Sequence, residues 1–400
     1  MTDDLTRRLW ELALPQRWFS GRGGTPLGVD LGEPLADGAL RPALLNVGFP
    51  DTHVERYLIP LLSQPLVEPG HSDEGAAARI ETVADACDDA GILLDLLREG
   101  APGFHATRDI PPAGPARRFA GEQSNTNVFF GDQILMKLFR RIEPGENVDV
   151  ELHRALAGTG VVAELYGTWT VDGADYAVFV EALRRPEDGY DLAKGYAARG
   201  EDFTAHARAL GTALAVVHRT LAERLPTSTI SGTALSADCV RRFAEVAAAY
   251  PEAAPFADAV TRAVGHVPEG PLPAQRVHGD CHLGQVLLTA GRWVYVDFEG
   301  EPLKPLAERR LPDSPLRDVA GMLRSFGYAA AAGPAPSGWL EACRRAFLEG
   351  YGLDADTPNP VLDAYEIDKA GYEVAYESRY RPHLVQVPID FLATLLRRSQ

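Results

Sequence analysis

No stretch of the sequence approaches eighteen consecutive apolar residues, so no membrane-spanning helix is expected. The N-terminal run MTDDLTRRLWELALPQRWF has neither an unbroken apolar segment nor a small-residue cleavage site, so no secretory signal is expected. Cysteine is scarce: Cys87, Cys239, Cys281 and Cys343 lie far apart and form no CxxC pair. That spacing disfavours a disulfide framework and a zinc site, and a reducing cytoplasm fits best. Positive charge is in deficit, with 39 Lys and Arg against 56 Asp and Glu, a formal net charge of −17. Such a surface repels the phosphates of DNA and RNA. It would suit a cationic substrate, or it provides solubility alone. There is no internal repeat, no low-complexity tract and no GxGxxG.

What is present describes a globular chain, 46% hydrophobic and 24% charged. Its 400 residues exceed one ordinary core and imply two or three domains. The first hundred residues mix short helical and strand patterns, and Glu74–Glu99 has near-helical apolar spacing interrupted by Gly91. A Pro- and Gly-rich stretch, Gly100–Arg118, marks a boundary. Beyond it, Val128–Phe130 and Ile134–Phe139 flank Gly131-Asp132-Gln133, a hairpin pattern. Asn147–Ala157 follows as a helix, then strands Leu165–Trp169 and Tyr176–Val180 around Asp172-Gly173. Helices dominate from Asp191: Phe203–Leu225, Cys239–Tyr250, Ser314–Ala332, Gly338–Tyr351 and Pro360–Tyr380. One small hairpin, Val286–Leu288 with Trp293–Val296, interrupts them.

The chemistry concentrates in two phrases, His278-Gly279-Asp280-Cys281-His282-Leu283-Gly284-Gln285 and Val296-Asp297-Phe298-Glu299-Gly300-Glu301. An Asp two residues after a His, an amide five residues after that Asp, and a second Asp opening the next element form the protein-kinase spacing. Asp280 would orient and finally deprotonate an acceptor hydroxyl. Gln285 and Asp297 offer the hard oxygen ligands that Mg²⁺ takes, and Mg²⁺ would neutralise charge between phosphates. Gln in place of the usual Asn keeps the amide oxygen on a longer arm.

Lys137 sits in the apolar strand pattern Ile-Leu-Met-Lys-Leu-Phe, where a lone ammonium is costly to bury. Glu151 on the following helix is the expected partner, with the pair serving the α- and β-phosphates of ATP. The other reading is an edge-strand Lys that blocks aggregation. In the loop Gly121–Asn127, backbone amides with the hydroxyls of Ser124 and Thr126 would cap phosphates, or form a plain polar turn. The backbone of Glu181-Ala182-Leu183 would serve as the hinge that binds adenine.

These phrases, together with PLRDVAGMLRSFGYAA (Pro315–Ala330), PQRWFSGRGG near the N-terminus and EVAYESRYRP near the C-terminus, resemble the aminoglycoside-phosphotransferase-like kinases. Within that group they are most similar to the actinobacterial maltokinases and glucosamine kinases. The resemblance spans nearly the whole chain. It implies an α+β, bilobal protein-kinase-like fold: an N-terminal cap subdomain over 1–110, a small antiparallel β-rich nucleotide lobe over 111–183, and a mainly helical lobe over 184–400. It implies an ATP- and Mg²⁺-dependent sugar kinase, with small-molecule partners only. By the same resemblance Asp318 braces the loop around Asp280, and His278 braces rather than acts as base. His282 lies at the acceptor, and Glu299 supports the metal or the sugar. Trp18 and Arg22 are expected to pack the cap.

The acceptor stays open between glucosamine, phosphorylated on its 6-hydroxyl, and maltose, phosphorylated on its anomeric hydroxyl. The ending RYRPHLVQVP lacks the Trp that would stack a second glucose ring, which favours glucosamine. Glu373 and Glu377 lie one turn apart on the last long helix. They either face the cleft and hold an amino sugar's ammonium, or form a solvated face neutralised by Lys369, Arg379 or Arg381. An aminoglycoside acceptor would require a larger, strongly acidic pocket. A pseudokinase would be expected to lack one of Lys137, Glu151, Asp280, Gln285 and Asp297, and all are present.

Overall fold

The computed structural model describes residues 2–62, 84–121, 124–301, 304 and 306–398. The chain divides into two compact units, residues 1–151 with 163–184, and residues 152–162 with 185–400.

In the first unit, strands Thr25–Leu31, Leu40–Gly48 and Val54–Leu62 form an antiparallel meander, to which Ala84–Asp85 and Arg141–Ile142 add at the third strand. Helix Thr2–Ala13 buries Leu9 and Ala13 with Ala43, Leu45, Val47 and Tyr57 of that sheet. A second antiparallel sheet orders its strands as Phe104–Ala106, Leu165–Val171, Ala174–Glu181, Ile134–Leu138, Thr126–Phe130 and Ala116–Arg118. The turn between Leu165–Val171 and Ala174–Glu181 has Asp172 at φ 49° and Gly173 at φ 76°. Two successive positive φ angles give the type I′ turn that a twisted hairpin needs and that Asp-Gly supplies.

Packing does not separate the expected cap (1–110) from the nucleotide lobe (111–183). One continuous core contains Leu40, Leu58, Cys87 and Leu94 together with Met136, Trp169 and Phe179. Arg140 ties the same two regions from inside: fully buried, it donates to Asp85, to the Thr126 hydroxyl at 2.7 Å and to the Leu58 carbonyl at 3.1 Å, and lies over Trp18. Arg22 donates to the carbonyls of Leu14, Gln16 and Phe19, closing the turn after the first helix. The long helix expected over Glu74–Glu99 is present only as Gly91–Glu99, and residues 74–83 lie outside the described ones. Gly91 begins the helix rather than interrupting it. Ahead of it lie a short strand and a 3₁₀ turn capped by Asp85.

In the second unit, helix Thr204–Arg224 runs against Trp339–Tyr351 at close range. A Cβ on Gly211 would come within 2.1 Å of the Phe347 carbonyl oxygen, and one on Gly350 within 2.1 Å of that of Arg208, so both glycines are required by the approach. Helices Leu316–Ala332 and Pro360–Tyr380 pack together, and the strand pair Val286–Thr289 with Arg292–Tyr295 carries the loops of chemical interest.

Candidate active site

Strands Thr126–Phe130 and Ile134–Leu138 alternate buried and half-buried residues. Ile134, Met136 and Leu138 enter the core, and Leu135 and Lys137 point to the opposite face. Lys137 pairs in register with Asn127 on one side and Val178 on the other, so its strand is interior and the edge-strand reading is excluded. Its Nζ donates to Oδ2 of Asp149 at 2.8 Å. Asp149 is buried on the first turn of helix Val148–Leu156, two residues before the expected Glu151. The Asn147 side chain accepts from the Asp149 N–H at 2.8 Å, and Asp175 accepts from the Asn147 N–H at 2.8 Å, which fixes the helix start. Asp149 carries no signal of its own in the sequence, because helix phase decides which carboxylates of the first turn reach the sheet.

Of the polar loop before that strand, Glu122 and Gln123 lie outside the described residues. Ser124 is exposed, whereas the Thr126 hydroxyl accepts from Arg140 and is a structural group. At the expected hinge, the Glu181 N–H bonds the Glu164 carbonyl at 2.8 Å and the Ala182 N–H bonds that of Gln133 at 3.0 Å. Leu183 follows, half-buried and beyond the last strand.

In the second unit the loop 277–285 is held from beneath by Asp318 on helix Leu316–Ala332. Asp318 accepts from the N–H groups of His278 at 2.7 Å and Gly279 at 2.9 Å, and from Nε2 of His218 at 2.9 Å. Burial pushes its pKa up. The His218 hydrogen bond, attraction to His218 and His278, and the Gly279 amide outweigh that and hold the carboxyl below its ordinary value. Nδ1 of His218 faces the Tyr351 hydroxyl at 2.8 Å. His218 had no assigned role in the sequence; a buried His on an apolar helix face is the signal, and only the fold names its partner. His278 donates from Nε2 to the Val296 carbonyl at 3.0 Å, which joins the loop to the residue preceding Asp297. Gly321, on the helix below, is also fixed by this packing: a Cβ there would fall 2.3 Å from the Cys281 carbonyl oxygen. Gly321→Ala should therefore lower stability by about 1–3 kcal/mol and reduce turnover by displacing the loop. Thermal melts and steady-state rates would check this, and an unchanged melting temperature with full turnover would refute it.

Asp280 leaves the loop half-buried, with Oδ1 3.5 Å from Nζ of Lys369 and Oδ2 3.9 Å from Nε2 of His282. The Gly284 N–H donates to Nδ1 of His282 at 3.1 Å, so the proton of the neutral ring sits on Nε2, toward Asp280. Burial depresses the His282 pKa, aided by Lys369 and His278, while both Asp280 and Asp297 oppose the shift. One imidazole thus lies within electrostatic reach of both carboxylates. Nε2 of Gln285 donates to Oδ2 of Asp297 at 3.4 Å, and Asp297 and Glu299 bring carboxylate oxygens within 4.8 Å of one another. Asp297 has φ 63°, a left-handed conformation that costs a non-glycine residue free energy and aims its side chain. Closely spaced carboxylates are a donor set that fits a hard divalent cation, and the Gln285 side chain adjoins them.

Beside this loop opens a cavity of about 750 Å³, within the size range of small-molecule sites. It is lined by Gly279, Phe243, Glu301, Arg309, Lys369 and Tyr372, among others. Several of its charges are paired: Arg317 holds Glu301 and Asp313, Lys304 holds Glu301 at 3.1 Å, and Arg242 holds Asp368 at 2.6 Å.

Glu373 and Glu377 depart from the solvated-face reading, although Arg381, one of the cations expected there, does pair with Glu377. They are buried, with Glu373 one turn beyond Lys369 on helix Pro360–Tyr380. Arg324 donates to Glu373 from Nε at 3.0 Å and Nη2 at 2.6 Å, and Arg381 and Tyr328 donate to Glu377 at 2.5 Å and 3.2 Å. Both carboxylates are ion-paired within the helical packing, Oε2 of Glu377 having no hydrogen-bond partner among the described residues, and neither residue lines the cavity beside Asp280.

A family model described as "Phosphotransferase enzyme family" matches residues 115–360. Glucosamine kinase of Streptacidiphilus jiangxiensis is 27% identical over a 417-residue alignment that covers 92% of this chain and 90% of that one. Glucosamine kinase of Mycolicibacterium smegmatis is 27% identical over 314 residues, 69% of this chain and 78% of its own. Among solved structures, a glucosamine kinase in complex with glucosamine, ADP and inorganic phosphate aligns with a TM-score of 0.72 at 24% identity, covering 96% of both chains. Crystal form B of a glucosamine kinase aligns with a TM-score of 0.72 at 25% identity, covering 96% of this chain and 97% of that one. These alignments identify the fold class as protein-kinase-like α+β.

Proposed function

The chain belongs to the phosphotransferase enzyme family, and from that premise we propose that it transfers the γ-phosphoryl group of ATP to the 6-hydroxyl of glucosamine. The observation that carries the reading is Asp280, presented on a braced loop beside a cavity of about 750 Å³.

In this reading the acceptor hydroxyl hydrogen-bonds Asp280, which orients it and receives its proton as the new O–P bond forms. The bond from the γ-phosphorus to the β–γ bridging oxygen breaks, and ADP leaves. Lys137, held by Asp149, serves the phosphates, with Glu151 on the same helix and Ser124 in the preceding loop. The backbone at Glu181 and Leu183 takes the adenine. Gln285 and Asp297, with Glu299 beside them, would hold Mg²⁺, which when bound neutralises phosphate charge. His282 lies beside Asp280 at the acceptor end.

Three carboxylates of the cavity, Asp368, Glu301 and Asp313, already hold cations of the protein, which opposes an aminoglycoside, whose several ammonium groups require a surplus of carboxylates. The relatives named glucosamine kinase support the amino sugar over maltose. A coupled ADP-release assay with Mg²⁺-ATP and a panel of glucosamine, N-acetylglucosamine, glucose, maltose and kanamycin tests this. Glucosamine should give the highest kcat/KM, with the phosphate on O6 by NMR. Turnover of maltose without glucosamine would overturn the assignment.

A further inference from the structure

An amino sugar poses a problem for a catalytic carboxylate. The ammonium is the acceptor's most attractive group for Asp280, yet a sugar bound by its ammonium to Asp280 holds the reacting hydroxyl away from that carboxylate. The structure places a cation of the protein at that position. Lys369 lines the cavity, and its Nζ lies 3.5 Å from Oδ1 of Asp280, nearer than Nε2 of His282 at 3.9 Å. The ammonium also lies 5.6 Å from the centroid of the Tyr372 ring, a neighbouring cavity wall. Asp368, the preceding residue, is occupied by Arg242, and Glu301 across the cavity by Arg317 and Lys304. Asp280 is therefore the carboxylate that pairs with Lys369, with Glu301 adding a longer-range attraction.

We propose that Lys369 is a specificity-determining residue that occupies Asp280 electrostatically and keeps the acceptor's ammonium away from it. The sugar then enters with its amino group outward and a hydroxyl remote from that group against Asp280. In glucosamine the hydroxyls at C1 and C3 adjoin the amine, whereas those at C4 and C6 do not, so one interaction accounts for tolerance of the amine and disfavours phosphorylation at the two vicinal positions. This inference deepens the amino-sugar reading and rests on it.

The test compares wild type, Lys369→Met and Lys369→Arg for glucosamine and glucose, by calorimetric binding in the presence of Mg²⁺-ADP and by steady-state turnover. Lys369→Met should bind glucosamine about tenfold more tightly relative to glucose, the factor given by 1.4 kcal/mol of new ammonium–carboxylate contact. Its kcat and KM for glucosamine should fall together, the mark of non-productive binding, with no matching fall in KM for glucose. Lys369→Arg should keep the wild-type ratio. A parallel loss with both sugars, or no change in the ratio, would overturn the inference and leave Lys369 a purely structural partner. Failure of the parent reading looks different: wild type would phosphorylate glucose but not glucosamine. The binding ratio still decides the role of Lys369 in that case.

Discussion

Asp280→Asn should lower kcat by about 10²–10⁴-fold, the contribution of a positioned general base, with little change in nucleotide affinity. Asn keeps the shape and one oxygen for the acceptor hydroxyl but cannot hold a proton in the transition state. The loop itself should stay in place, because its anchors are the backbone N–H groups of His278 and Gly279 on Asp318, which the substitution does not touch. The ion pair with Lys369 is partly exposed, so its loss costs little stability. Single-turnover rates and the binding of a fluorescent ADP analogue separate the two effects. Wild-type turnover in the variant would remove Asp280 from the role, and a large loss of ADP binding would assign it to the nucleotide instead.

Asp318→Ala should have the largest effect on stability. It strands three buried donors, the N–H groups of His278 and Gly279 and Nε2 of His218. At ~1 kcal/mol or more for each unsatisfied donor, the loss is about 3 kcal/mol or greater. The distinguishing readout is hydrogen exchange: the amides of His278 and Gly279 should lose protection ahead of the surrounding helices. Retained protection there would show that the loop is held by something other than Asp318. The pH dependence follows from the same contacts. The Asp318 carboxyl in the folded protein is held below its ordinary value of 3.8. Between the folded and ordinary values the unfolded chain binds more protons than the folded one, so stability rises with pH there. The contribution is present above about pH 4 and is lost as pH falls through the folded value. Asp318→Ala should flatten that acid limb in urea unfolding followed from pH 5 downward.

Several features of the fold were readable along the chain because the forces that make them are local. The type I′ turn at Asp172-Gly173, the hairpin around residue 131 and the long helices of the second unit follow from turn chemistry and hydrophobic period. The three-part domain division was less readable. The meander of the first 62 residues and the second sheet contribute to one core, and a buried Arg140 ties them, which no composition shift records. The helix expected across residues 74–99 reads as periodic in apolar residues. Its C-terminal part begins at Gly91, where the preceding chain is a capped 3₁₀ turn.

The sequence alone determined the groups whose geometry is set by short chain separation: Asp280 two residues after His278, Gln285 five beyond Asp280, and Asp297 just past the hairpin that follows. A hairpin allows few arrangements of such residues, so spacing stood in for position. Tertiary structure decided everything that depends on how a helix is rolled. Successive residues of a helix differ by about 100° around its axis, and a 21-residue helix exposes every direction to some neighbour. Which carboxylate meets Lys137, which glutamates turn inward to Arg324 and Arg381, and that Lys369 rather than Glu373 lines the cavity beside Asp280 are consequences of packing between elements distant in the chain.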